Sequence, residues 1–330
     1  MPCPYADDMA RTLQYLLTVA LVLSLNFVLP RLMPGNPLAD LDNPQGSPLP
    51  LSAEQRARVT AYYGLDRSLP LQFRDYWAGL LRGDLGWSLY YNAPVTQVLW
   101  GRLQWTLLLA GCTTILYVTL GLILGSISAW HRGRALDATL LLSISAAGSF
   151  PGYFLAMLLL ILFAVKLRIL PLGQAQSAAS LGMAGWTRVL DIARHLVLPS
   201  LTLVLTNLVD IYYLTRNSLT QVLGEGYITV ARARGLGEMP LLFRHALPNA
   251  MLPVASMATM RLGFVVMGAV MIEMVFAYPG MGLAILEASR ARDYPLLQGA
   301  FLVTMLGIMT ANLLADGLYG LLDPRLRGAR

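Results

Sequence analysis

At 330 residues, 56% hydrophobic and only 13% charged, the chain is no soluble globular domain, in which about one residue in four is charged. Its formal net charge of +6 comes from basic residues scattered between apolar segments, so membrane orientation accounts for it and nucleic-acid binding does not. The two cysteines, Cys3 and Cys112, form no Cys-x-x-Cys, and there is neither a P-loop nor a His-Glu-x-x-His, so disulfide, metal and ATP sites drop out for this chain.

Apolar runs long enough to cross about 30 Å of hydrocarbon recur along the sequence, which makes it a polytopic helical membrane protein. Residues 1–11 form a short polar start, read as cytoplasmic, with Met9 a natural beginning and 1–8 an extension. The run 12–33 has no small-residue cleavage site after it and reads as a retained first transmembrane helix. Residues 34–102 form the one sizeable non-membrane segment. Ser52 is placed to cap a helix there, and Tyr62, Tyr63, Phe73, Tyr76, Trp77, Trp87, Tyr90 and Tyr91 suggest an interfacial aromatic belt.

A second helix is expected over about 103–130, closed by the basic turn His131 to Arg134. A third covers about 137–165 and contains Pro151 and Gly152, a kink that suits either a pathway-lining helix or simple packing. An outer loop at 166–194 precedes a fourth helix starting near an interfacial His195. A fifth spans about 250–274 and a sixth about 299–322, before a basic tail. Arg132, Arg134, Arg325, Arg327 and Arg330 place both termini and the loop between helices four and five in the cytoplasm.

That loop, residues 219–249, is the most informative stretch. From Tyr227 to Arg234 it reads as a short helix of small and basic residues, and Gly235 stands where a left-handed helix cap would be. A second short helix follows from Glu238 to Ala246. The pattern of Tyr227, Ala231, Arg232, Ala233, Arg234, Gly235 and Leu236, then Leu247 and Pro248, resembles the EAA loop of ABC-importer permeases, which docks into the ATPase subunit. Thr229 stands where that motif carries glutamate, and Glu225 is the nearest acid. Arg232 and Arg234 either pair with acidic groups in the ATPase groove or hold the loop at an anionic membrane face.

Two further regions are similar to B-type permeases of the dipeptide/oligopeptide/nickel branch. One is Tyr63 to Phe73 with Gly83 to Ser88. The other is Glu273 to Gly282, including Pro279 and Gly280, followed by Arg292, Asp293 and Asp316. The resemblance implies an all-α polytopic membrane protein with six transmembrane helices in the type I ABC-importer permease fold, residues 103–330 being the permease core. It implies a non-enzymatic subunit of a binding-protein-dependent importer in the bacterial inner membrane, carrying peptides, nickel or a metal chelate. The implied partners are a C-type permease, two ATPase subunits, an extracytoplasmic substrate-binding protein and membrane lipid. No cofactor is expected on this chain, since ATP and Mg belong to the ATPase subunits.

Charges inside spans are costly and default to functional hypotheses. Asp210 lies ~12 Å and Arg261 ~16 Å from the cytoplasmic helix ends, so they are candidates for an intramembrane ion pair, tuning the path or merely structural. Glu273, at the outer end of helix five where water or a loop can solvate it, is expected to position the Pro279–Gly280 turn. Asp316 is expected to accept hydrogen bonds from neighbouring helices. A self-contained secondary transporter is disfavoured for want of an internal repeat. An intramembrane hydrolase would rest on Ser149 or Asp84 alone.

Overall fold

The structure, a computed structural model, describes residues 4–32, 60, 66–182 and 185–322. Its elements are α1 (Pro4–Leu32), α2 (Leu69–Leu81), β1 (Trp87–Ser88), β2 (Ala93–Pro94), α3 (Val95–Trp130), α4 (Ala135–Gly148) and α5 (Gly152–Leu159). They continue with α6 (Trp186–Leu223), α7 (Gly226–Ala233), α8 (Glu238–Pro240), α9 (Leu247–Val275), α10 (Met281–Arg290) and α11 (Tyr294–Leu322).

Among the described residues, α3, α6 and Tyr294–Ala311 of α11 are long and apolar enough to cross a membrane, with mean hydropathies of 2.2, 1.5 and 1.4. The fourth candidate is a bent pair. Helix α4 and the helical stretch Gly152–Lys166 meet at 98° across Ser149–Pro151. Proline lacks an N–H and disfavours helical geometry at the residue before it, so the helix expected to kink here instead breaks. Helices α1 and α9 occupy the remaining two expected spans; each has 29 residues, or ~43 Å of helix.

Several boundaries move outward from the sequence expectations. Helix α1 starts at Pro4, α3 at Val95, and α6 at Trp186 rather than near His195. His195 therefore sits on the third turn of α6, buried, its Nδ1 donating to the Asp191 carbonyl at 2.8 Å. It lines a cavity of about 370 Å³ with Gly173, Gln174 and Phe276. The Ser52 cap, Tyr62 and Tyr63 lie outside the described residues.

By contact density the chain forms two compact units, one of 1–102 with 284–305, the other of 103–283 with 306–330. In the first, Phe27 of α1 meets Phe73 and Tyr76 of α2 at ring distances of 5.2 and 5.5 Å. Phe73 and Tyr76 are half-buried, packing against α1. Beyond α2, β1 and β2 pair as a minimal antiparallel hairpin, Trp87 opposite Pro94.

The second unit is built on close helix contacts. A Cβ at Gly121 would fall 2.6 Å from Ile211 Cγ2, and one at Gly125 would fall 2.9 Å from the Tyr212 carbonyl oxygen. The register rises together on both helices, so α3 and α6 run parallel with their backbones nearly touching. Small residues four apart permit that approach, and dispersion over the resulting contact holds helices together where lipid offers no hydrophobic drive. One cluster centres on Leu109, Leu198, Ile272, Phe276 and Tyr278. Another gathers Tyr117, Val204, Ile211 and Val254.

Candidate functional site

The loop between α6 and α9 folds as a capped knuckle. Helix α7 begins after Glu225, whose carbonyl accepts the Ile228 N–H at 3.1 Å. It ends in a Schellman motif: Leu236 N–H donates to the Ala231 carbonyl at 3.3 Å and Gly235 N–H to that of Arg232 at 3.0 Å. Gly235 has φ +82°, the left-handed value the motif needs. Behind it, α8 opens into a π-helical turn, Leu241–Ala246, that runs straight into α9. Leu247 and Pro248 thus begin α9 without a break, Pro248 being exposed in its first turn.

One face of α7 is nailed down. Ile228 is fully buried in a cluster with Ala129 of α3, Leu219 of α6, Leu241, Leu242 and Ala250, and Ala231 packs against it. The other face is open and largely apolar: Tyr227, Val230, Met239 and Phe243 are 44, 52, 68 and 61% exposed, beside exposed Ala233 and Arg234. Met239 and Phe243 escaped the sequence reading, whose motif carried only the small and basic positions. Nothing in the sequence set them apart from the other apolar residues of the loop, such as Leu241 and Leu242, which are buried. Arg232 pairs with Glu238 of the same loop, Nε to Oε1 at 3.1 Å and Nη2 to Oε2 at 3.2 Å. Glu238 is thus the acid that holds Arg232, while Glu225 is the N-cap residue of the helix.

A second constellation surrounds Glu273 at the end of α9. Its carboxylate is completely buried, accepting Thr106 Oγ1 at 2.7 Å on one oxygen and the Gly282 N–H at 2.6 Å on the other. The Met281 N–H donates to Thr106 Oγ1 at 2.8 Å, and the Tyr278 N–H to the Glu273 carbonyl at 2.8 Å. Gly280 lies against the same carboxylate, where a Cβ would come within 2.2 Å of Oε1, and Pro279 is half-buried between them. Glu273 does organise the Pro279–Gly280 turn. Of the two expected sources of solvation, water or a loop, it is the loop's Gly282 N–H, with Thr106, that reaches the carboxylate. Burial, then the neighbouring Glu273 charge, pushes the Tyr278 phenol well above its usual range.

In the other unit, Asp293 is buried and joins sequence-distant pieces. Its Oδ1 caps α11 through the Leu296 N–H at 3.1 Å, while Oδ2 accepts Ser88 Oγ at 2.6 Å and the Tyr90 N–H at 3.1 Å. Arg292 precedes it with φ +51°. Nearby, Arg102 pairs with Glu287 at 3.0 Å, and Tyr91 bridges them, donating to Glu287 and accepting from Arg102. Burial and the Glu287 hydrogen bond raise the Tyr91 phenol, so it stays protonated. Glu287 and Arg102 were not anticipated, being 185 positions apart.

The proposed intramembrane pair fares differently. Asp210 is half-buried on α6, but the Arg261 side chain lies outside the described residues, as does that of Asp316. A buried charged pair among the described residues is instead Asp137 with Arg216. Arg216 Nε and Nη2 reach Asp137 Oδ1 and Oδ2, each at 2.8 Å. Ser128 Oγ donates to Oδ1, and the Gly133 N–H to Oδ2 at 3.0 Å. Tyr212 OH meets Ser128 Oγ at 2.7 Å. The side chains of Asp137 and Arg216 are 6 and 16% exposed. An acid in the first turn after a basic loop was the available sequence signal; its partner 79 residues on was not visible.

Neither hydrolase candidate stands free for chemistry. Ser149 Oγ donates to the Ser145 carbonyl at 2.8 Å, and Asp84 Oδ1 accepts the Gly86 N–H at 2.9 Å.

The family model for the inner membrane component of binding-protein-dependent transport systems matches residues 121–328. The chain is 35% identical over 302 residues to the probable peptide ABC transporter permease protein y4tP of Sinorhizobium fredii, covering 91% of this chain and 92% of that one. It is 33% identical over 319 residues to the dipeptide transport system permease protein DppB of Escherichia coli K12, covering 92% and 93%. The glutathione transport system permease protein GsiC of Pectobacterium atrosepticum is 34% identical over 322 residues, covering 96% and 97%. Among solved structures, an inward-facing MetNI methionine ABC transporter aligns with TM-score 0.56 at 16% identity, covering 69% of this chain and 97% of that one, a shared fold.

Proposed function

Because this chain belongs to the family of binding-protein-dependent transport system inner membrane components, and is the permease part of an ABC importer rather than an enzyme, we propose that it carries peptides and is driven through residues 225–248. The cargo reading rests on the three relatives just described, named for peptide, dipeptide and glutathione transport. A nickel or metal-chelate cargo has no such support. The chain works beside a C-type permease, above two ATPase subunits that hold ATP and Mg, and beneath an extracytoplasmic binding protein. Both termini and the knuckle lie in the cytoplasm.

The observation that carries the coupling role is the two-faced knuckle. Ile228 anchors α7 to the ends of α3, α6 and α9, so a push on its outer face is delivered to three helices at once. The outer face presents small and apolar side chains that fit a groove. Arg234 remains for an acidic partner, while Arg232 is held by Glu238. Nothing lies within 4 Å of a Cβ at Gly235, so a bulky residue there projects outward, at the cost of a strained left-handed backbone.

Gly235→Trp is therefore expected to insert in the membrane normally while abolishing binding-protein-stimulated ATPase activity in the assembled complex. Wild-type stimulation in that variant would remove the docking role.

A further inference from the structure

We propose that the Asp137–Arg216 ion pair is a yoke, making the cytosolic halves of α4 and α6 move as one body with the coupling helix α7. The inference rests on the coupling role of residues 225–248 and names the residues that carry force onward from it.

Three observations converge. Arg216 lies on the last turns of α6, a helix that ends at Leu223 just before α7. Leu219, one turn on from Arg216, is fully buried in the same cluster as Ile228 of α7. Displacement of α7 thus reaches the turn of α6 that carries Arg216 through Leu219. The guanidinium grips the first turn of α4 with two parallel bonds, a geometry that fixes orientation as well as distance. Ser128, Gly133 and Tyr212 supply the remaining bonds, tying the end of α3 and the 131–134 turn into the same knot. Desolvated charges with all partners provided hold one arrangement and resist sliding.

The connection also has a natural end. Helix α4 is continuous from Asp137 to Gly148, and a Cβ at Gly148 would fall 2.1 Å from Val209 Cγ2, so α4 stays in contact with α6 over its length. Beyond it the chain turns through 98° at Ser149–Pro151. The elbow is the first point along this path where helical continuity is lost. The yoked body is therefore α7, the cytosolic half of α6, and α4, with the elbow as its boundary.

The test uses the complete transporter in proteoliposomes with its binding protein and a defined mixture of radiolabelled dipeptides. In Asp137→Asn/Arg216→Gln, both charges are removed together, so neither is left alone. ATP hydrolysis is expected to continue while uptake per ATP falls about tenfold. Wild-type uptake per ATP in the assembled double variant overturns the proposal.

A second measurement does not depend on that variant assembling. Spin labels at the exposed positions Leu142 of α4 and Gln221 of α6, with Cys3 and Cys112 replaced, report the distance within the yoked body. That distance is expected to hold within about 2 Å between the nucleotide-free and ATP-bound complex, whereas Leu142 to Met157, across the elbow, changes. A change between Leu142 and Gln221 on ATP binding overturns the yoke. Absence of dipeptide uptake by the wild type would reject the cargo reading and leave the spin-label result to decide.

Discussion

At the scale of single residues, the turn at the end of α9 is tightly packed. Gly282 must be glycine because a Cβ there would fall 2.4 Å from Val270 Cα and 2.9 Å from Glu273 Oε2. Relief requires a backbone shift that draws the Gly282 N–H away from a buried carboxylate oxygen. Overpacking and a weakened buried hydrogen bond together make Gly282→Ala cost about 2–4 kcal/mol. A lowered melting temperature in detergent, with the protein still inserted, is the check; an unchanged one would show that the turn has slack. The local half of this arrangement was legible, since Glu273, Gly280 and Gly282 lie within one short stretch. Thr106 was not, because its partner is 167 residues away and only packing brings α3 to it. Likewise Ser88 and Asp293 meet across 205 positions.

At the scale of elements, α3 and α6 are held by a glycine face. Gly121 and Gly125 lie four apart, the small-xxx-small spacing, and bring the backbone of α6 within van der Waals reach. Gly125→Ile is expected to separate the two helices and, with them, Ser128 from Tyr212 and Asp137 from Arg216. Breaking that buried pair geometrically costs on the order of 3–5 kcal/mol, so the variant should yield little monodisperse protein on size exclusion. A wild-type profile would mean α6 tilts to accommodate the side chain. The elbow between α4 and α5 belongs to this scale too. Pro151 was readable as a disturbance, but whether it kinks or breaks the helix depends on what α4 and α5 each pack against. Gly148 against Val209 is such a contact, and no local propensity encodes it.

At the scale of the whole molecule, the loop between α6 and α9 keeps an exposed apolar face, and under the proposed function that face is what the ATPase would meet. Met239→Asp and Phe243→Asp place charges on residues 68 and 61% exposed, so folding should be unaffected. Co-purifying ATPase is expected to fall about tenfold for each, since burying an unpaired charge in an interface is costly. Full retention of the ATPase would place the contact elsewhere on the loop. The amino-acid sequence by itself determined what depends on near neighbours along the chain. Long apolar runs can only be satisfied as membrane helices, a glycine after a short basic helix makes a cap, and contiguous motifs carry the family pattern. Tertiary structure alone decided which charges meet. Hydrogen bonds and ion pairs act over about 3 Å, while partners such as Asp137 and Arg216 are 79 residues apart. Their distance is set by how helices pack, a property of the fold rather than of either segment.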